Sequence, residues 1–255
     1  MPEACLFCGL GPPTNEHVIS RWISRRIQVI SPFTPEHGAP AVRAPNSSRY
    51  YMSRIIEIQV RAACASCNSV FFNELESPCR PFLDHAMADQ PWPIEVELKR
   101  QLATWAYKTA LLLELHATPR QQWPASILRQ CRDLRELRRP PVGVRVWVGR
   151  YDVRDQFPDM VHGARLSELG FRRKGAEYEG AQVIFTLCYL LFIVVFWHGT
   201  APDDFPMDSA RIAGDALIPV WPAFVATASW PPDGTVSYAA LDALASWKSP
   251  NWAES

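Results

Sequence analysis

The 255-residue chain lacks an excess of charge of either sign, because 26 lysines and arginines balance 26 aspartates and glutamates. A neutral chain creates no whole-molecule field that would attract nucleic acid, a membrane surface or an acidic partner. The balance is uneven locally: residues 91–150 carry 11 basic against 5 acidic side chains, and residues 151–255 carry 7 against 13. This distribution indicates either a local phosphate-binding face or two oppositely charged faces that meet.

We also expect no export signal, since no positively charged start precedes an apolar segment near residue 1. One nearly apolar run, AQVIFTLCYLLFIVVFW at 181–197, is rich in β-branched and aromatic residues. It falls short of the roughly 20 residues that a membrane span needs. We therefore expect one long or two short buried strands there, no membrane partner, and a cytoplasmic protein.

Seven cysteines are an odd number, and four of them form two CxxC pairs. The pairs are Cys5 with Cys8 and Cys64 with Cys67. A two-residue gap lets both thiolates of a pair bind one ion from a tight turn, and two pairs complete the tetrahedron that structural zinc prefers. Without an export signal, this pattern favours a metal over disulfides. The other three cysteines are expected to be apolar core residues.

Periodicity predicts helices in the middle of the chain and strands toward its end. Apolar residues recur at helical spacing over 94–116 and 126–139. Alternation typical of strands follows at 142–151, and a further strand is predicted at 217–225.

Two elements are predicted around the second CxxC pair. Residues 49–64 alternate apolar and polar side chains in their second half, which favours a strand that ends at the pair. The segment NSVFFNELESP then predicts a helix with Val70, Phe71 and Leu75 on one face. Because the residue before a proline avoids the helical region, we expect this helix to end at Pro78.

These patterns together predict an α+β protein in three segments. The first is a small zinc-stabilised module at 1–90, and the second is a pair of connecting helices at 91–140. The third is a strand-rich C-terminal domain of unknown role at 141–255.

One combination of motifs resembles a known family. CLFCG, TNEHVISRW and CASCNSVFFNELE follow one another along the chain, and WAYKTA stands on the next predicted helix. The combination is similar to the HNH endonuclease superfamily, with its ββα-metal fold, in the branch where two CxxC pairs hold a structural zinc. More narrowly, it resembles uncharacterised bacterial HNH-like proteins. The resemblance covers roughly residues 1–115.

The resemblance implies a role for each matching residue. His17 matches the general base that activates a water to attack a phosphodiester. Glu16 and Asn73 match the protein ligands of a catalytic divalent ion, Mg²⁺ or Mn²⁺. Asn68 matches the asparagine after the second pair, a structural hydrogen-bonding residue. The ligands of the structural Zn²⁺ are matched by Cys5, Cys8, Cys64 and Cys67.

The chain departs from the family pattern at positions that bear on catalysis. Gln59 stands about five residues before the second CxxC pair, where the family has a middle asparagine that fixes the orientation of the histidine. Ser20 stands where the family has a proline. Adjacent residues of a strand point to opposite faces, so Glu16 and His17 can share one centre only if the strand bends or ends there.

Basic residues after the motifs have two interpretations each. Lys108 is expected on the polar side of its helix, where it is either solvated or in reach of a phosphate. The five arginines of 126–139 either follow a nucleic-acid backbone or form a solvated helix face.

Three functions are compatible with these features. The first is a metal-dependent HNH-type endonuclease that hydrolyses phosphodiester bonds, whose partner is a nucleic acid, DNA before RNA. The second is a ββα-metal enzyme repurposed for a small-molecule substrate, which the neutral charge and the missing asparagine favour. The third is a non-catalytic zinc module that binds nucleic acid or protein. Whether the chain forms a homodimer stays open.

Overall fold

The computed structural model describes residues 4–30, 58–152, 164–173, 176–199, 214–223 and 226–245. This part of the chain mixes helices and antiparallel sheets, as expected for an α+β protein. Its helices are α1 (Arg21–Ile30), α2 (Asn73–Glu76), α3 (Arg80–Met87), α4 (Val96–Ala117), α5 (Ala125–Leu137) and α6 (Tyr238–Ala245). Its strands are β1 (Pro13–His17), β2 (Gln59–Cys64), β3 (Trp92–Ile94), β4 (Arg145–Arg150), β5 (Ala164–Arg173), β6 (Ala176–Leu187), β7 (Leu190–Trp197), β8 (Leu217–Trp221) and β9 (Ala228–Trp230).

The largest sheet has five strands in the order β5-β6-β7-β4-β8, and all neighbours are antiparallel. The apolar run at 181–197 forms most of β6 and all of β7, which confirms the prediction of two buried strands. Among the described residues, β8 is an outer strand of this sheet, and Pro219 at its centre is exposed. No helix in the described ranges has the length and apolar character to cross a membrane.

Helix α4 lies between the five-stranded sheet and the N-terminal part of the chain. The Trp105 ring centroid is 6.0 Å from that of Phe185 and 5.4 Å from that of Phe192, on the sheet side. The opposite side of α4 contacts β2 and α2. Periodicity predicted a single apolar stripe, yet every residue from Leu102 to Leu113 is buried. A helix packed on two sides has no solvated face.

Two strands and a helical segment build the N-terminal part. β1 and β2 form a two-stranded antiparallel sheet, and a π-helical turn at Cys67–Phe72 leads directly into α2. The predicted end of the helix at Pro78 is wrong, since a 3₁₀ turn at Ser77–Cys79 continues into α3. Proline is accepted here because the first turn of a helix leaves its N–H groups unpaired in any case.

One apolar cluster runs through the described part of the chain, from Cys5 in the first turn to Trp230 in β9. Helices α4 and α5 and the three-residue strand β3 lie inside the predicted connecting segment, and strands β4 to β9 lie inside the predicted C-terminal segment. Whether the three segments are separate domains stays a prediction.

Candidate metal centre and active-site cleft

Four cysteines from two distant turns meet at one point. Their Sγ atoms all lie within 4.8 Å of one another, and those of Cys8 and Cys64 are 3.7 Å apart. Four thiolates around a tetrahedral ion at about 2.3 Å would be separated by about 3.8 Å. The members of the group are Cys5, Cys8, Cys64 and Cys67. They form a cluster that can hold a metal ion.

The first pair sits on a tight turn that two glycines make possible. Gly9 and Gly11 have φ angles of +72° and +66°, in the left-handed region that suits glycine. The Cys5 N–H donates to the Gly11 carbonyl at 3.0 Å, and the Gly9 N–H donates to the Cys5 carbonyl at 2.9 Å. Burial would raise the pKa of the Cys5 thiol, but hydrogen bonds from surrounding backbone N–H groups bring it down to about 7. A lowered thiol pKa favours the thiolate form that binds metals.

The β1–β2 pairing sets the position of His17. His17 is the last residue of β1 and stands opposite Gln59, the first residue of β2. A register shift opposite Thr14 and Asn15 inserts one extra residue, Ala62, into β2. Strand β1 ends at His17, which meets the condition under which the two side chains can share one centre.

A cleft of about 390 Å³ opens beside the end of β1. Glu16 and His17 line it from the strand, and Asn68 and Asn73 line it from the segment that follows the second cysteine pair. The structure thus brings four of the predicted residues to one cavity. Gln59 is not part of its wall and lies behind His17.

The π-helical turn explains how two asparagines five residues apart reach one cleft. Around an α-helix, residues five apart are rotated by about 140° from each other. A π-helix bonds residues five apart, so that such residues lie on the same side. Asn68 opens the turn after Cys67, and Asn73 follows its last residue. The exposed Asn73 side chain accepts a hydrogen bond from Ser77 Oγ through Oδ1 at 3.3 Å.

The Gln59 amide contacts the His17 ring at 3.2 Å, between Nε2 of each residue. In this orientation the amide donates, and the neutral ring carries its proton on Nδ1. Turning the amide by 180° exchanges its oxygen and nitrogen, so that His17 Nε2 donates and Nδ1 carries the free lone pair. Among the described residues, the buried Nδ1 atom has no hydrogen-bond partner. Buried polar atoms normally have a partner, so Nδ1 is the ring nitrogen that is left for a water or a substrate group.

Glu16 is partly buried, and burial raises the pKa of its carboxyl to about 7. The charge of Lys108 acts in the opposite direction, whereas that of Glu76 adds to the rise. A cation bound in the cleft would favour the ionised carboxylate.

The residue at the floor of the cleft that sequence reasoning missed is Glu76. Its side chain is 6% exposed and accepts hydrogen bonds from Ser20 Oγ and Trp22 Nε1, and from Trp105 Nε1 at 3.1 Å. Three donors satisfy a carboxylate that would otherwise be costly to bury. The signal was present in the motifs, because Glu76 ends CASCNSVFFNELE and Trp105 begins WAYKTA.

Lys108 was expected on a polar helix face, and that expectation is wrong. The residue is 2% exposed, and its ammonium donates to the Val18 carbonyl at 3.4 Å. The ammonium also lies 5.4 Å from the Phe72 ring centroid and 5.8 Å from that of Trp105. Burial lowers the pKa of Lys108, and the nearby carboxylates of Glu76 and Glu16 oppose the decrease. Lys108 is thus a buried cation at the cleft rather than a solvated one.

Comparison with protein-family models, curated proteins and solved structures found no match to this chain.

Proposed function

We propose that this protein is a metal-dependent endonuclease of the HNH type that hydrolyses phosphodiester bonds in nucleic acid, with DNA as the first substrate to test. The observation that carries the proposal is the single cleft that Glu16, His17 and Asn73 share. A general base and two oxygen ligands in one polar cavity are the components that metal-assisted hydrolysis of a phosphodiester requires.

The order of elements supports a ββα-metal arrangement. β1 carries Glu16 and His17, β2 pairs with it, and the helical segment from Cys67 carries Asn73. The insertion between the two strands contains α1, so that the strands are adjacent in space but distant in sequence.

Zinc is the metal that we assign to the cysteine cluster. Four thiolates within 4.8 Å of one another suit a tetrahedral Zn²⁺ ion and leave no open position for chemistry. Its role would be structural, because the cluster ties the turn before β1 to the end of β2. Strand β1 carries His17, and strand β2 carries Gln59.

Glu16 and Asn73 would hold the catalytic ion. A carboxylate and an amide oxygen are ligands that Mg²⁺ and Mn²⁺ accept, and so few protein ligands leave positions for a phosphate. When bound, the ion supplies stabilisation of the charge that develops on the phosphate and on the leaving oxygen. Asn68 would act as a polar neighbour that keeps the wall of the cleft hydrated.

His17 would take a proton from a water in the cleft through its unpartnered Nδ1. The water oxygen forms a bond to phosphorus as the bond to the leaving sugar oxygen breaks. The proton taken from the water stays on the imidazole until solvent removes it, and the leaving oxygen takes a proton from solvent to become the sugar hydroxyl. Gln59 would hold the ring by accepting from Nε2 in the flipped amide orientation. The ring is then oriented before the substrate arrives.

The experiment compares plasmid cleavage by the wild type, His17→Ala and His85→Ala in Mg²⁺ or Mn²⁺. General-base catalysis contributes about 10²- to 10⁴-fold, so we expect His17→Ala to lose that much activity with its zinc content intact. His85 lies on α3, where its ring contacts Trp92 outside the cleft, and the His85→Ala control should cleave normally.

Titration of Mn²⁺ into zinc-loaded protein completes the test. We expect one further site, lost in Glu16→Ala and in Asn73→Ala but kept in His85→Ala. Cleavage by His17→Ala at the wild-type rate would refute the nuclease proposal. Failure to bind any metal beyond zinc would instead favour the non-catalytic module.

A further inference from the structure

A second cavity lies next to the candidate active site. Its volume is about 620 Å³, and it lies between α1 and α3. Three arginines and one aspartate line it, which gives the groove a net charge of +2. These four residues are Arg25, Arg26, Arg80 and Asp84. We refer to this cavity as the arginine groove.

Trp22 separates the arginine groove from the cleft and lines both cavities. Its indole N–H donates to the buried carboxylate of Glu76, and the Arg80 guanidinium lies 4.7 Å from the ring centroid. A side chain held at its N–H and covered on one face is a fixed wall rather than a mobile one. The two cavities are therefore neighbours with a rigid shared boundary.

The three arginines of the groove differ in whether they pair with a carboxylate of the protein. The Arg26 Nε atom lies 2.5 Å from Asp84 Oδ1, an ion pair that ties α1 to α3. Arg25 and Arg80 are both exposed, and no carboxylate among the described residues pairs with either. Their charges remain available to an anion from outside the chain.

A row of positive charge leads from the cleft into the groove. Arg21 lines the cleft, and Arg25 lines the groove one turn further along α1. Residues four apart on a helix share a side and lie about 6 Å apart along its axis. Within the cleft, Arg21 and Lys108 are balanced by Glu16 and Glu76, so that unbalanced positive charge begins only at the groove.

The sequence indicated that the arginines of α5 could bind a nucleic-acid backbone. In the structure, some of them contact other side chains of the protein. The Arg135 guanidinium lies 4.6 Å from the Phe71 ring centroid. Arg138 pairs with Glu74 at 2.8 Å and lies 5.8 Å from the same ring. The arginine groove is the better-placed basic surface, because it adjoins the cleft through Trp22.

We propose that the arginine groove holds the phosphate backbone of the nucleic-acid strand that enters the cleft, with Arg25 and Arg80 as the residues that contact phosphates. The proposal deepens and rests on the proposed nuclease function. The strand passes over Trp22, and the sequence of its bases is not read there, since guanidinium contacts to phosphate carry no base information.

The test measures binding of a fluorescein-labelled DNA duplex by anisotropy at several salt concentrations. All proteins carry His17→Ala, so that the probe stays intact. Arg25→Ala/Arg80→Ala should weaken binding and reduce the slope of log K against log salt by about 2, or about 1 per lost phosphate contact. The control Arg129→Ala/Arg132→Ala removes the same charge from exposed positions of α5, outside the groove, and should keep the slope.

Equal salt slopes for the groove variant and the α5 control would overturn the proposal. Inorganic phosphate that binds at millimolar concentration through Arg25 and Arg80 without displacing the duplex would also overturn it, because the groove would then be a site for small anions only. We expect any phosphate that binds there to compete with the duplex.

The two proposals fail separately. If DNA binding depends on Arg25 and Arg80 but the wild type cleaves no DNA, the groove proposal is supported and the nuclease proposal is refuted. If cleavage instead requires His17 while Arg25→Ala/Arg80→Ala leaves KM and the salt slope unchanged, the nuclease proposal is supported and the groove proposal is refuted.

Discussion

Gln59 is the residue whose side chain contacts the proposed base, His17. It stands where the family resemblance expects an asparagine, and its amide lies 3.2 Å from the His17 ring. The longer side chain therefore reaches the histidine from the first residue of β2. Glutamine in place of asparagine lengthens the side chain that contacts His17, and the contact is still made.

We predict that Gln59→Leu lowers kcat by roughly tenfold to a hundredfold, as loss of an orienting partner typically does. Gln59→Glu should keep most of the activity, because a carboxylate also accepts from Nε2.

The control for this pair is Gln101→Leu, whose amide donates to Glu97 at 3.1 Å on the exposed face of α4. It should leave kcat unchanged. A Gln59→Leu enzyme with the wild-type kcat would show that Gln59 does not orient the base.

Prediction from sequence was strongest where a residue type carries its own chemistry. Two CxxC pairs can meet around one ion whatever the intervening fold, and the structure brings them together. Glu76 and Lys108 stand in the motifs, but their burial was not predicted, because a charged residue is expected at the surface unless its partners are known. The donors that make Glu76 acceptable inside come from residues 29 to 56 positions away in sequence.

Among the elements, the π-helical turn at Cys67–Phe72 is the one that the sequence did not indicate. An α-helical period predicted Val70 on the buried face with Phe71 and Leu75. In the structure Val70 is 53% exposed, whereas Phe72 is buried beside Phe71. The wider turn shifts the inward face by one residue, and no periodic pattern of six residues is long enough to reveal it.

The turn before β1 and the start of the π-helical turn both depend on the cysteine cluster. We predict that Cys67→Ser lowers the melting temperature by about 10 °C or more and reduces bound zinc. Lost metal ligation costs several kcal/mol, and each kcal/mol shifts Tm by about 2–4 °C at this size. Thermal unfolding with metal analysis measures both.

Cys79→Ser is the matched control, since Cys79 is equally buried on the same segment and lies outside the cluster. It should keep its zinc. Equal zinc content in both variants would show that the cluster is not the metal site.

Across the whole molecule, Trp105 joins the active-site floor to the C-terminal sheet. Its indole N–H donates to Glu76 at 3.1 Å, and its ring packs on Phe185 and Phe192. The role of residues 141–255 had no interpretation from sequence, because no motif there carries chemistry. The structure gives them at least a supporting role, since their sheet packs against the helix that completes the cleft.

We predict that the protein unfolds in one transition, in which the calorimetric and van't Hoff enthalpies agree, because a single apolar cluster spans the three predicted segments. Trp105→Phe should keep one transition and lose about 1.5–3 kcal/mol, the usual contribution of a hydrogen bond to a charged group. More than one transition would instead support independently folding units.

Pro219 limits how copies of this protein can associate. It lies exposed at the centre of β8, the outer strand of the five-stranded sheet in the part of the chain that the structure describes. Proline has no N–H to offer, so an incoming strand would find a gap in the hydrogen-bonding row. This edge of the sheet therefore disfavours fibril growth by strand addition. A homodimer would have to form through a different surface.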